Sequence, residues 1–539
     1  MTANTLAALL LARAEDDRPG LMFEDAAWSW RAHVAACRAA GAWLSRRGTG
    51  LHVGVLSENV PDLVFLLGGA ALAGHVVVAL NPTRSVDELI RDARATDVGL
   101  LLSDGPYEGV ARPVSEALGV GALPLSAAGA QAEVDPGAVQ EEPPAPDPAD
   151  LVMLIFTSGT SGRPRAVRIT QRKIAVPGAS LGALLTPEDV VYCSMPLFHS
   201  GALMAAYAPA MSSGAALVLR RRFSASGLLP DVRRYGCTYL HYVGKALSYV
   251  LATPERPDDA DNPLKIAFGN EGSAVATRRF GERFGCHVID AFGSTETAIS
   301  LTPDPSGPPG CLGRLPEGVA ILDPFTGRPC PPGRVEDGRL LNADEAVGEL
   351  VNTAGAGLFE GYYNDSEADA ERIRDGAFWS GDLAWMDADG YVFFAGRGTE
   401  RLRVDGENLA VAPIEAALRE FGGVIEAAVY PVPDAAAGDQ VMAALVLEEA
   451  FDPDAFTAFL ASRRDLGSKS LPRYIRLSED LPQTASHKVI KRVLAREGWR
   501  TGDPVWWRTP AGLRPLTDAD TKGIEEEFVR HGRQHLLET

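Results

Sequence analysis

Residues 151–165 read LVMLIFTSGTSGRPR, an unbroken apolar run followed at once by glycines and hydroxyl residues. The run 151–156 has the length and the Val/Leu/Ile content of a strand buried on both faces. Behind it stand Thr157, Ser158, Gly159, Thr160, Ser161 and Gly162, four hydroxyl residues and two glycines in succession. A loop of this composition can wrap phosphate oxygens with backbone N–H groups and side-chain hydroxyls. It is not a Walker A loop, because Gly159 and Gly162 are too close together and Arg165 follows Pro164 where the pattern requires Gly-Lys-Ser/Thr. Taken alone, the segment also reads as a plain Ser/Thr/Gly turn between a strand and a helix.

The sequence around it has the rhythm of an α/β protein. Upstream, helical patterns at 28–47 and 86–96 alternate with short apolar strands at 52–56, 76–80 and 99–102, as in a parallel sheet that binds ligands at its strand C-termini. Residues 127–150, rich in Ala, Pro, Glu and Asp, read as a polar connection, after which the strand at 151 opens a second α/β region running to about residue 310. From there to 348, short apolar runs between Gly and Pro predict antiparallel strands with tight turns. After Arg397 a small α+β segment follows, with helices at 413–421 and 453–464 and strands at 427–432 and 441–447.

Length and composition narrow the function. The chain has 539 residues, 46% hydrophobic and 23% charged, which suits a globular enzyme of roughly three or four structural units at about 150 residues each. Its 51 basic and 71 acidic residues give a net charge of −20, which argues against nucleic acid or anionic lipid as the main partner. An anionic ligand must therefore be met by local groups. The six cysteines are too sparse for a disulfide framework and include no C-x-x-C pair, and the N-terminus lacks a basic leader, so a reducing, cytoplasmic setting is expected. Residues 63–80 carry no charge over nearly a bilayer's span. Gly68, Gly69, Gly74 and His75 interrupt them, and a buried helix followed by a buried strand is the better reading.

The strand followed by TSGTSGRPR resembles the signature phosphate loop of the adenylate-forming superfamily, which comprises acyl-CoA synthetases, peptide-synthetase adenylation domains and luciferases. Other motifs of that superfamily follow in order along nearly the whole chain: PLFH ending at His199, FGSTE from Phe292 to Glu296, SGD ending at Asp382, GYVFFAGR ending at Arg397, RVDGEN containing Gly406, and LPQTASHK ending at Lys488. The GEN and GSTE forms look most like the fatty-acid transport protein branch of acyl-CoA synthetases and its actinobacterial FadD-type ligases. The resemblance implies an acetyl-CoA synthetase-like fold. Its large N-terminal domain, residues 1–397, would hold two α/β parallel-sheet subdomains and a β subdomain, and a small mobile α+β domain, residues 398–539, would carry the catalytic lysine.

It also implies a reaction: a carboxylate attacks the α-phosphorus of ATP, pyrophosphate leaves, and coenzyme A then takes the acyl group. Charge accumulating on phosphoryl oxygens must be met by cations and oriented donors. By resemblance, the 157–162 loop and Arg165 cradle the phosphates, Thr295 donates to the α-phosphate and Glu296 holds Mg²⁺, a hard ion that needs only one or two protein oxygens. Asp290 and Phe292, flanking Ala291 and followed by Gly293 and Ser294, would contact adenine. Asp382 would accept both ribose hydroxyls, with Arg397 beside the ribose. Lys488 would reach the reacting oxygens, and Gly406 would let the pantetheine arm pass close to the backbone. His199 would line the acyl site, although the apolar run before it equally suits a packed histidine. Gly-Ser-Thr-Glu also reads as a helix start.

Three positions depart from the common pattern: Arg165 stands for lysine, His487 for glycine before the catalytic lysine, and Thr399, followed by Glu400, for the usual hinge Asp or Lys. The strip Arg220, Arg221, Arg222 suggests either a phosphate-facing patch or a solvated strand end. The expected partners are a small carboxylic acid, of fatty type by resemblance, and coenzyme A. No nucleic acid partner and no transmembrane segment are expected, and peripheral membrane contact and a homodimer are left open. Two other readings fit the same motifs, an acyl-AMP ligase that loads a carrier protein and a catalytically weak AMP-binding relative.

Overall fold

The computed structural model describes residues 4–129, 145–158, 164–244, 246–270, 272, 274–304, 306–336, 339–397, 401–404, 407–435, 439–463, 466, 470–483, 489–509, 512–531 and 533–537. They form two compact units, the first made of residues 1–300 and 355–376, the second of 301–354 and 377–539.

The first unit holds two sheets. A six-stranded sheet runs in the order Gly121–Pro124, Leu100–Ser103, His52–Leu56, Val76–Ala79, Leu151–Ser158, Pro164–Thr170, parallel except for its last pair. A seven-stranded sheet runs His287–Asp290, Ile266–Asn270, Tyr239–Val243, Val190–Cys193, Ala216–Leu219, Pro19–Phe23, Ala26–Ser29, again parallel except for the last pair. One sequence expectation is corrected here. The strand at Leu151 does not open the second α/β region: it pairs in parallel with Val76–Ala79 and completes the first sheet. The strand Pro19–Phe23, unread in the sequence, crosses to the second sheet and pairs in parallel with Ala216–Leu219.

The charge-free segment resolves into the helix Pro61–Ala73 and the strand Val76–Ala79. Pro61 starts the helix with its φ already set, and Gly74 ends it in the left-handed region at φ 71°. The glycines inside it let two helices touch. A Cβ on Gly69 would stand 2.5 Å from the backbone nitrogen of Gly41, on the helix Trp30–Ser45. No described helix is long and apolar enough to cross a membrane.

In the second unit, an antiparallel sheet orders Cys311–Arg314, Tyr391–Arg397, Ala377–Met386, Gly348–Asn352 and Val319–Leu322, as the Gly/Pro-punctuated sequence predicts. A further five-stranded sheet, Val424–Pro433, Asp439–Leu447, Tyr474–Leu477, Val505–Thr509 and Gly512–Pro515, packs the helices Val411–Leu418 and Pro453–Ser462 around Phe456 and Leu460. Its register alternates the two faces. Ala427, Val429, Val441 and Ala443 enter that core, whereas Ala428, Tyr430, Met442 and Ala444 enter another with Trp499 and Phe528.

Candidate active site

The glycine-hydroxyl loop joins two antiparallel strands. Thr157 faces Arg165 and Ser158 faces Pro164 across the ladder, so the segment spans a hairpin; the alternative reading as a strand-to-helix turn is corrected. Gly159, Thr160, Ser161 and Gly162 lie outside the described residues. Arg165 is 6% exposed, its Nη2 2.5 Å from Glu371 Oε2 and its guanidinium 5.5 Å from the Tyr362 ring centroid. Its Nη1 is buried without a hydrogen-bond partner among the described residues. The residue that replaces the usual lysine therefore anchors the hairpin to residues 361–371.

Segment 361–363 is itself held edge-on to the hairpin: Arg168 N donates to Gly361 O, and Tyr363 N to Ala166 O. This fixes Tyr362, whose hydroxyl donates to Glu296 Oε1 at 2.9 Å. Burial, and then the Glu296 charge, push the Tyr362 hydroxyl's pKa up, so it remains a donor. Thr295 and Glu296 sit in a tight turn closed by Thr297 N donating to Ser294 O at 3.1 Å. No helix follows, and the helix-start reading is corrected. Thr297 takes a positive φ of 55°, the kind of strained backbone that persists where surrounding structure enforces it.

Ser200 ties this turn to the 196–199 motif, its hydroxyl 3.1 Å from that of Thr295. Asn59 clamps the motif from the first sheet: its Oδ1 accepts from Leu197 N, and its Nδ2 donates to Met195 O and Arg220 O. The His199 ring lies 4.8 Å from that of Phe198, tilted at 49° to it. The side chain of Asp290 is already engaged, its Oδ2 accepting from Tyr242 Oη and from Gly272 N, both at 2.7 Å. Ala291 N donates to Gly269 O, and the Phe292 ring is partly exposed beside Gly293 and Ser294.

Lys173, on the helix Gln171–Gly182, is completely buried. Burial pushes its pKa down to about 8 against the opposing charges of Glu296 and Glu360. Its Nζ donates to Arg168 O at 3.3 Å. Tyr362, Asn59, Ser200 and Lys173 were all missed in the sequence, where they carry no spacing that separates them from ordinary polar residues. The strip Arg220–Arg222 is spent on structure: Arg220 pairs with Asp231, Arg221 with Asp104 and Glu58, and Arg222 with Glu58.

The second unit holds the other predicted residues. Asp382 and Arg397 face each other across adjacent antiparallel strands, so the two motifs expected at the ribose are brought side by side by sheet register alone. Asp382 N donates to Ser380 Oγ at 3.0 Å, and Ser380 in turn donates to Leu350 O. Gly381 N donates to buried Glu349. Gly406, Thr399, Glu400, His487 and Lys488 lie outside the described residues. A bridge between Gln483 and Val489 flanks the segment that carries Lys488.

The description "AMP-binding enzyme" matches residues 11–363, and "AMP-binding enzyme C-terminal domain" matches residues 413–488. The chain belongs to the AMP-binding enzyme family. It is similar to the steroid-22-oyl-CoA synthetase of Rhodococcus jostii (strain RHA1), at 44% identity over 99% of both chains. It is also similar to the medium/long-chain-fatty-acid–CoA ligase FadD17 of Mycobacterium tuberculosis, at 48% identity over 94% of this chain and 99% of the relative. ATP-bound MatB from Rhodopseudomonas palustris shares the fold, with a TM-score of 0.80 at 23% identity over 91% of this chain and 98% of that one. So does the o-succinylbenzoate CoA synthetase of Bacillus subtilis with its acyl-adenylate, with a TM-score of 0.75 at 24% identity over 90% and 97%.

Proposed function

We propose that this AMP-binding enzyme is an ATP-dependent acid–CoA ligase acting on a hydrophobic carboxylic acid, of fatty or steroid side-chain type. The reading is carried by its end-to-end similarity to relatives named as CoA ligases and synthetases. The substrate carboxylate is ionised near neutral pH and attacks the α-phosphorus of ATP without a general base; pyrophosphate leaves, and the coenzyme A thiol then displaces AMP.

In this reading Thr295 donates to the α-phosphate from a turn held by Ser200, while the hairpin loop 157–162 meets the other phosphates with Arg165 at its base. Asp290, Ala291 and Phe292 meet adenine, and Asp382 and Arg397 the ribose. Lys488 neutralises the developing charge, and Gly406 lines the thiol's path. His199 bounds the acyl site. Among the described residues no group of three or more His, Cys, Asp or Glu could hold a metal, so Glu296 is a single-carboxylate site. That donor set fits Mg²⁺ bound mainly through substrate phosphates. When bound, Mg²⁺ supplies charge neutralisation on those phosphates; the chain's own part is to orient Glu296 through Tyr362.

The division into a large domain ending at Arg397 and a mobile domain from residue 398 belongs to the same proposal, as do a cytoplasmic location, peripheral membrane contact and a homodimer. The experiment is pyrophosphate release with acids of varied chain length and ring content, offering free coenzyme A and a phosphopantetheinylated carrier protein side by side. Acyl-CoA formation supports the reading. Transfer to the carrier alone replaces it with an acyl-AMP ligase, and no release with any acid removes catalysis altogether.

A further inference from the structure

The strand Tyr239–Val243 lies inside the seven-stranded sheet and alternates its side chains between two faces. Leu240 and Tyr242 enter an apolar cluster with Leu228 and Phe280. Tyr239 and His241 face the segment that follows His199: Tyr239 Oη donates to Ala205 O at 2.9 Å, and His241 Nε2 lies against Gly201.

His241 is 2% exposed, and burial pushes its pKa down to about 4, so its ring is neutral at physiological pH. Nδ1 lies 3.2 Å from the Phe268 carbonyl oxygen. A carbonyl oxygen can only accept, so Nδ1 carries the hydrogen and Nε2 is a bare acceptor. That Nε2 is shut off from solvent and has no hydrogen-bond partner among the described residues. A buried acceptor without a donor is costly, and each one calls for an explanation.

Two neighbours point to a ligand. Gly201 stands directly before Nε2: a Cβ there would lie 2.9 Å from Nε2 and 3.3 Å from Cε1, so glycine alone leaves that nitrogen's face uncovered by a side chain. Residues Leu203–Tyr207 then form a π-helical turn, a local widening frequent at functional sites. Ser200, between His199 and Gly201, bonds Thr295, so the wall that presents Nε2 is the one joined to the adenylating turn.

We propose that His241 Nε2 accepts a hydrogen bond from a hydroxyl group of the acyl substrate, and that this ligase, if the acid–CoA ligase reading holds, selects hydroxylated carboxylic acids. A plain alkyl chain or a ketone brings Nε2 no donor, and a second carboxylate brings only lone pairs.

The test pairs each acid with its own deoxy counterpart on the full-length enzyme. The panel is saturated fatty acids with a hydroxyl moved along the chain, and steroid carboxylic acids with and without ring hydroxyls; pyrophosphate release and acyl-CoA formation are read. At least one hydroxylated acid exceeds its counterpart in kcat/KM by about tenfold or more, since a site built to bond a hydroxyl discriminates strongly against its absence. His241→Leu brings that ratio close to one, chiefly through KM; His241→Gln, which keeps an acceptor, retains part of it. Gly201→Ala, which sets a methyl against Nε2, lowers the ratio as His241→Leu does, and serves if that variant fails to fold. Deoxy acids preferred throughout, or a ratio unmoved by His241→Leu or Gly201→Ala, overturns the proposal while the ligase reading stands. No acyl-CoA from any acid overturns the ligase reading and the proposal together.

Discussion

At the scale of single residues, the site depends on groups that hold other groups. Glu296 is aimed by the Tyr362 hydroxyl, which is itself pinned by the backbone bonds of residues 361–363 to the hairpin. A hydrogen bond to a charged group contributes about 1.5–3 kcal/mol, and its loss frees the carboxylate to rotate. Tyr362→Phe should therefore raise the Mg²⁺ concentration giving half-maximal adenylation several-fold, with a smaller change in saturated rate. A Mg²⁺ titration of pyrophosphate release checks this, and an unchanged midpoint would detach Tyr362 from Glu296's role. Thr295 and Glu296 stand out as candidates in the sequence because their motif is local. Tyr362 was not, since its meaning lies in a contact with a residue 66 positions away.

Among elements, the sequence patterns carried furthest where a helix or strand is specified by its own residues. The strands at 52–56 and 76–80 and the helix after Pro61 follow from apolar runs and from Pro and Gly at their ends. What those patterns lacked was partner choice: nothing local in Leu151–Ser158 says that it pairs with Val76–Ala79, and nothing in Pro19–Phe23 sends it to the other sheet. The hairpin around 159–163 was not foreseen for the same reason: nothing local says that Pro164–Thr170 is a strand pairing back on Leu151–Ser158. The helix crossing at Gly41 and Gly69 shows how such pairing is enforced. There the backbones touch, so a larger side chain cannot be absorbed by rotamer change. Gly69→Leu should destabilise the first unit by about 1–3 kcal/mol, the usual cost of overpacking, or more. Its denaturation midpoint should fall accordingly, whereas Gly50→Ala, at a glycine with nothing within 4 Å but a φ of 60°, should cost less.

Across the whole molecule, two buried histidines set part of the acid limit. His33, fully buried beside Tyr207, has its pKa pushed down to about 3 by burial, and His241 to about 4. Both are lowered from an ordinary value of 6.5, so the unfolded chain binds these protons first as pH falls. The stability they contribute is complete above about pH 6.5 and is lost progressively below it, at up to about 1.4 kcal/mol per pH unit for each group. His33→Gln should make the fall in thermal midpoint between pH 6.5 and pH 4 shallower than in the wild type. Carboxylates titrate in both proteins and cancel in the comparison, so parallel curves would place the acid sensitivity elsewhere.

The same scale decides how one chain runs two half-reactions. Asp382 and Arg397, proposed to meet the ribose, are adjacent in one sheet, and Gly406 and Lys488 follow them in the sequence. If a mobile domain offers Lys488 for adenylation and then Gly406 for thiol entry, the two residues serve different steps and their losses must separate. Lys488→Ala should cost adenylate formation about a hundredfold or more while nucleotide binding persists, in line with removing one oriented charge from a transition state. Gly406→Leu should block acyl-CoA formation and leave pyrophosphate release from the first turnover intact, because a side chain there obstructs only the pantetheine arm. Single-turnover measurement of both products in both variants decides it. Equal loss of both steps in Gly406→Leu would mean that one arrangement serves the whole reaction and that the departure at Thr399 marks a hinge that does not turn.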